Sequence, residues 1–347
     1  MRTKFLMAWP LLLTAFGASQ GEVSLNLVPQ KGVLTRRVFV AQHDLSLEGF
    51  RQKLDEGEPV DLPGGARFTS EQRFVFDDLA GPAQGLVPLT LQRRFIALES
   101  RGSLAPPDTE NIVRATAKSP LVGASVQMTW VPEEQDYGRY YDVREEAEDL
   151  LLGMSADPWL TWIAPREIEE NGAWKIPAAE LQGLIAPGGN LGFSPGTERI
   201  GRRLSRTLVN GVGGGLEMAF GGRSTGELSV RPLGQQTDAE GAVHLAFALS
   251  LHAQWISDVT ERLNQTLLPR EREQGSNFER ASLSLGLSGR GKLLADPKTG
   301  RPLSLELNCT ETVSMNLTEI LETGARFNQE MAMRGRLTLS QRVLLNK

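Results

Sequence analysis

Three histidines, one cysteine and a few clustered charges are what the chain offers for side-chain chemistry. His244 and His252 share a parity, but in an extended strand eight residues span roughly 27 Å, too far to share one metal ion. No H-E-x-x-H, C-x-x-C or EF-hand pattern accompanies them or His43. The single Cys309 excludes a disulfide framework and a zinc cluster of several thiolates. Its readings are a nucleophile, an intermolecular bridge or a small buried hydrophobe, and its parity with Leu303, Leu305 and Leu307 favours the last. No G-x-S-x-G elbow supports a serine nucleophile. The glycine-rich residues 211–226 (GVGGGLEMAFGGRSTG) lack the G-K-[ST] ending of a phosphate loop. The residues therefore supply no catalytic set, no cofactor site and no metal site.

Weaker candidates remain. Trp159, Trp162 and Trp174 fall within sixteen residues, either as a ligand-stacking wall or as a cap on the end of a sheet, and the cap is the commoner use. Arg199, Arg202, Arg203 and Arg206 bring four guanidiniums into eight residues, enough to meet a phosphate, a lipid headgroup or an acidic glycan, or to form a solvated loop. Glu145, Glu146, Glu148 and Asp149 could in principle serve acid–base work, but a solvated acidic face is far the commoner use of such a run. Glu311 is the odd one. It shares the parity of Cys309 and Val313, so an unbroken strand would bury it, and an unpaired buried carboxylate is costly. Either a bulge shifts the register there or the side chain faces a polar cavity; the bulge is the preferred reading.

The elements that would position these residues are strands. In residues 243–256 (VHLAFALSLHAQWI), Val243, Leu245, Phe247, Leu249, Leu251, Ala253 and Trp255 alternate with polar or small neighbours. That period of two marks a half-buried antiparallel strand. The same period runs through Leu283, Leu285 and Leu287, through Leu303 to Leu317, and through Met331 to Leu345. ADPKTGRP supplies a hairpin turn between two of these strands. Residues 68–76, 86–98 and 126–130 read as strands in a noisier first half, and residues 45–54 as a short helix or a loop. Helical spacing appears at residues 142–154, where Asp142 can cap, and again at residues 177–185 with proline in the first turn.

The predicted fold is mainly β: long antiparallel strands in a curved sheet, half-barrel or sandwich, with two short central helices. Residues 1–21 carry a basic start, an apolar run and small residues, the layout of a signal peptide. Residues 22–141 form an N-terminal β-rich half, 142–200 a helical, tryptophan-rich connection, and 201–347 a C-terminal antiparallel half. Acidic residues (42) outnumber basic ones (37) across 347 residues, which argues against a nucleic-acid partner. No later stretch is long and apolar enough for a membrane-spanning helix. Three tyrosines and thirteen phenylalanines, spread as they are, make poor girdles for an outer-membrane barrel.

The run LSGRGKLLADPKTGRPLSLELNCTETVSMN, the later EMAMRGRLTLSQRVL and the earlier GAWKIPAAELQGLIAPGG resemble a type of secreted bacterial β-rich protein of unassigned function. The resemblance implies export and a β fold, and brings no catalytic residues with it. The expected role is an exported, non-catalytic protein, secreted or periplasmic, whose concave sheet face holds an apolar or amphipathic ligand such as a lipid. Its alternatives are a secreted hydrolase using carboxylates such as Glu311 and a structural or interaction protein of the envelope.

Overall fold

The computed structural model describes residues 25–55, 57–62, 64–107, 112–141, 161–165, 167–189, 191–195, 220, 222–266, 273 and 275–345. The signal-like residues 1–21, the helix expected over 142–154, Trp159 and the arginines Arg199, Arg202, Arg203 and Arg206 lie outside the described residues.

Alternating hydrophobicity becomes strands almost wherever it occurs. The first half contributes β1 (Leu34–Leu54), β2 (Val60–Leu62), β3 (Arg67–Ala80), β4 (Ala83–Gln84), β5 (Val87–Pro88), β6 (Thr90–Ala105), β7 (Val113–Lys118), β8 (Ser125–Val131) and β9 (Asp136–Tyr141). Short β10 (Trp174–Pro177) and β11 (Ser194–Pro195) follow. The second half supplies β12 (Arg223–Thr237), β13 (Val243–Asp258), β14 (Asn277–Ala295), β15 (Pro302–Ile320) and β16 (Arg326–Leu345).

All but β4 and β5 belong to one antiparallel sheet, ordered β10-β12-β13-β14-β15-β16-β1-β3-β6-β7-β11, with β2 on β1 and β8–β9 on β6. The chain's two halves meet where β1 runs antiparallel to β16, from Thr35 opposite Leu345 to Leu54 opposite Phe327. The sheet curves without closing, and one face carries the core. Leu245, Phe247, Leu249, Leu251 and Trp255 on β13, Leu305 and Leu307 on β15, Leu337 and Leu339 on β16, and Phe39, Phe74, Phe76 and Phe95 across β1, β3 and β6 are all buried in a single cluster. Each such side chain contributes about 1.5–3 kcal/mol on leaving water. Glycines on the inward parity of β14 let the sheet curl, since a Cβ at Gly289 would meet the Asn308 carbonyl and the Cys309 sulfur.

Three expectations change. Residues 45–54 are neither helix nor loop but the second half of β1; a register shift between Leu47 and Gly49 interrupts the alternation that would have marked them as strand. No bulge exists at Glu311. The β14–β15 pairing shifts only between Phe278 and Arg280 and between Leu294 and Ala295, and β15–β16 runs in unbroken register, so Glu311 points inward. The helix expected over 177–185 is two separate turns, Ala178–Glu180 and Gln182–Ile185. Pro177 is held in β10 opposite Glu227, so helical geometry begins only after it.

Candidate functional site

A strap formed by residues 174–195 decides which part of the curved face is open. β10 pairs with β12 at one margin of the sheet and β11 pairs with β7 at the other. Both belong to residues 174–195, so one short segment ties the two margins together across the curved face. Along the way its backbone is fastened to the strands beneath it. Trp255 Nε1 of β13 donates to Ala178 O at 3.0 Å. Gln341 Nε2 of β16 donates to Leu184 O at 3.3 Å. Ser119 Oγ donates to Leu191 O at 2.5 Å. Phe193 stacks on Phe74 of β3 with ring centroids 5.5 Å apart. Leu181, Leu184 and Ile185 are buried beneath these contacts.

Trp174 serves the strap. Its ring meets Phe247 edge-on at 5.9 Å, and its Nε1 donates to Ile163 O at 2.8 Å. Trp162 is partly buried against the same core. Trp162 and Trp174, the two described members of the trio, thus pack on the protein's own residues.

Glu311 has no exposed surface and lies against His43, also fully buried. His43 Nδ1 is 2.8 Å from Oε2 and 3.1 Å from Oε1. The residues sit on β15 and β1, with β16 between them. The register sets Cys309, Leu337 and His43 in one row and Glu311, Gly335 and Leu45 in the next. Gly335 leaves the crossing clear, and a Cβ built there would run into the Asp44 carbonyl. His43 Nε2 has no hydrogen-bond partner among the described residues. Burial, then the nearby Glu311 carboxylate, pushes the Cys309 thiol up to about 12, so it is protonated and inert at neutral pH.

A second buried polar group lies at the end of the curved face where β1 starts and β3 ends. Asp78 and Arg93 are direct cross-strand neighbours. Arg93 Nε donates to Oδ1 at 2.8 Å, and its terminal nitrogen donates to Oδ2 at 3.1 Å. Arg37 Nε is 2.9 Å from Asp78 Oδ2. Both guanidiniums also flank the Phe76 ring, 5.2 and 5.0 Å from its centroid. Burial alone would raise the Asp78 carboxyl, but the charges and hydrogen bonds of Arg37 and Arg93 outweigh it and hold it below the usual carboxylate range.

Arg37 and Asp78 form one side of a pocket lined also by Leu27, Pro29, Leu91, Val343 and Arg301. Two anchors build its outer wall. Asn26 N donates to Gly300 O at 2.9 Å, and Gly32 N donates to Ala80 O at 2.9 Å, holding residues 26–32 over the strand ends. The hairpin that carries Arg301 is fixed by Asp296, whose Oδ1 accepts from Thr299 N at 2.7 Å and Lys298 N at 2.8 Å. The turn foreseen in ADPKTGRP is therefore part of the pocket.

The sequence reading found Glu311 but neither His43 as its partner nor the Arg37–Asp78–Arg93 group. A signal was present. Arg37 shares the parity of Phe39, Asp78 that of Phe76, and Arg93 that of Phe95, so each is a charge on an apolar face. Among the described residues, no group of three or more His, Cys, Asp or Glu side chains is arranged to hold a metal ion. Nor is any helix among them long and apolar enough to cross a membrane.

No protein-family model matches the chain, and no curated protein matches it in sequence. Among solved structures, an outer membrane channel from Pseudomonas putida F1 aligns over 94% of this chain and 100% of its own, at 8% identity and a TM-score of 0.24. A likeness this loose carries no argument about the present chain.

Proposed function

We propose that the chain is an exported, non-catalytic protein that binds an apolar or amphipathic ligand, and that the ligand enters the pocket between residues 26–30 and the ends of β1, β3 and β16. The carrying observation is that pocket's make-up: apolar walls from Leu27, Val28, Pro29, Leu91 and Val343 around a floor that includes the Arg37–Asp78 pair. Apolar walls with a few fixed polar groups are the usual form of a small-molecule site. The strap lies over the middle of the curved face, so the ligand's room is at its end. The signal-like first 21 residues support export to the periplasm or exterior. A carboxylate hydrolase draws no support from Glu311, whose partner is an imidazole and whose side chain has no exposed surface.

The test uses N-phenylnaphthylamine, an uncharged dye that brightens in apolar surroundings. The expected result is saturable fluorescence at one site, competed by dodecanol and weakened by Val28→Glu. Val28 is 47% exposed, so its replacement spares the fold. Fluorescence that never saturates, or that Val28→Glu leaves unchanged, overturns the reading.

A further inference from the structure

Arg301 stands apart from Arg37, which lines the same pocket, and from Arg93 behind it. Arg37 and Arg93 are engaged with Asp78. Arg301 lines the same space and is partly buried, yet its guanidinium has no ion pair or hydrogen bond among the described residues. The nearest acid on its own hairpin, Asp296, is committed to the turn through Lys298 N, Thr299 N and Thr299 Oγ1. Burial, only partly offset by Asp296, lowers the arginine from its ordinary value, the mark of a cation partly stripped of water without a full counter-charge. An arginine remains charged regardless and presents a planar fork of donors to a carboxylate or phosphate.

We infer that the pocket takes a single-chain amphiphile with an anionic headgroup, carboxylate or phosphate, the headgroup held by Arg301 and the alkyl chain laid against Leu27, Pro29, Leu91 and Val343. This rests on the reading of the pocket as a ligand site and adds the ligand's charge. Arg301 sits where the hairpin meets the anchored segment, since its neighbour Gly300 accepts from Asn26 N. A headgroup there would lie beside the wall that residues 26–30 form, with the chain directed toward the apolar strand ends. Asp78, the carboxylate lining this pocket, is neutralised by its own guanidinium partners and does not repel an anion from the floor.

Calorimetric titration of the purified protein with dodecanoate, dodecyl phosphate, dodecanol and dodecyltrimethylammonium, each below its micelle concentration, tests the assignment. An anionic probe should bind at least about tenfold more tightly than dodecanol, and the cation should bind most weakly; tenfold is about 1.4 kcal/mol. The tighter of the two anions identifies the headgroup as carboxylate or phosphate. In Arg301→Gln the preference for the anion over dodecanol should collapse about tenfold, and Arg301→Lys should retain part of it. Anion and alcohol binding alike, or a preference that survives Arg301→Gln, overturns the headgroup assignment while the ligand pocket stands. Binding of none of the four probes overturns both.

Discussion

His43 and Glu311 are separated by 268 positions in the chain and by a whole strand in the sheet, yet their side chains meet 2.8 Å apart across Gly335, with no exposed surface on either. Removing one member of such a pair leaves the other buried without its partner, which costs about 3–5 kcal/mol, whereas replacing both with apolar residues is often neutral. Glu311→Leu and His43→Leu should each lower unfolding free energy by about that amount in urea titrations, and the double variant should lose much less than the sum. Additive losses would show that the two side chains are not energetically coupled. Gly335→Ala belongs to the same test: its Cβ would push against the Asp44 carbonyl, so it should destabilise by about 1–3 kcal/mol despite adding only a methyl.

Asp78 gives the structure an acid limit. Its carboxyl is held below the ordinary value by Arg37 and Arg93. A carboxyl with a depressed folded-state pKa contributes stability that is complete above its unfolded value, near 3.8, and is lost as pH falls through the lower folded value. Stability should therefore decline as pH falls below about 4. Asp78→Asn should be less stable at pH 7, by about 3–5 kcal/mol, because two buried guanidiniums lose their counter-charge. It should also show a shallower decline over the acid range. Parallel acid curves for the two proteins would remove Asp78 from the account.

Cys309 reports on opening of the core. A buried thiol pushed up to about 12 offers almost no thiolate at pH 8. The native protein should resist alkylation by iodoacetamide for hours and react at once in denaturant, with intermediate rates in Glu311→Leu as β15 opens more often. Rapid labelling of the native protein would mean that β15 is not buried as described.

The strands were legible because burial on one face imposes a period of two, and the runs over 243–256 and 302–317 became β13 and β15 with their leucines inward. What failed to show was pairing at long range. Glu311 was visible as a charge on the apolar parity, but nothing local to it names an imidazole on β1, so a bulge looked the cheaper escape. The register, fixed by β16, decides otherwise. Arg37, Asp78 and Arg93 were visible in the same way, as charges on the parity of Phe39, Phe76 and Phe95, but nothing local to any one of them names the other two. The strap was equally hard to foresee. Trp174 and the helical spacing of 177–185 mark an apolar segment, but only the sheet order shows that its two ends belong to opposite margins.

That arrangement makes a prediction about distance. If residues 174–195 hold both margins, loosening one end must be felt at the other. Trp174→Ala removes the edge contact with Phe247 and the hydrogen bond to Ile163 O, a loss of about 3–5 kcal/mol for a buried tryptophan. Hydrogen exchange should quicken first in β10 and β12, the margin where Trp174 sits opposite Val230. It should also quicken in β7, where Ala117 and Lys118 pair with β11 on the far side. β15 and β16, in the middle of the sheet and paired on both edges, should keep their protection. Faster exchange confined to β10 and β12 would mean that the margins open independently and that the strap covers the core without joining its ends.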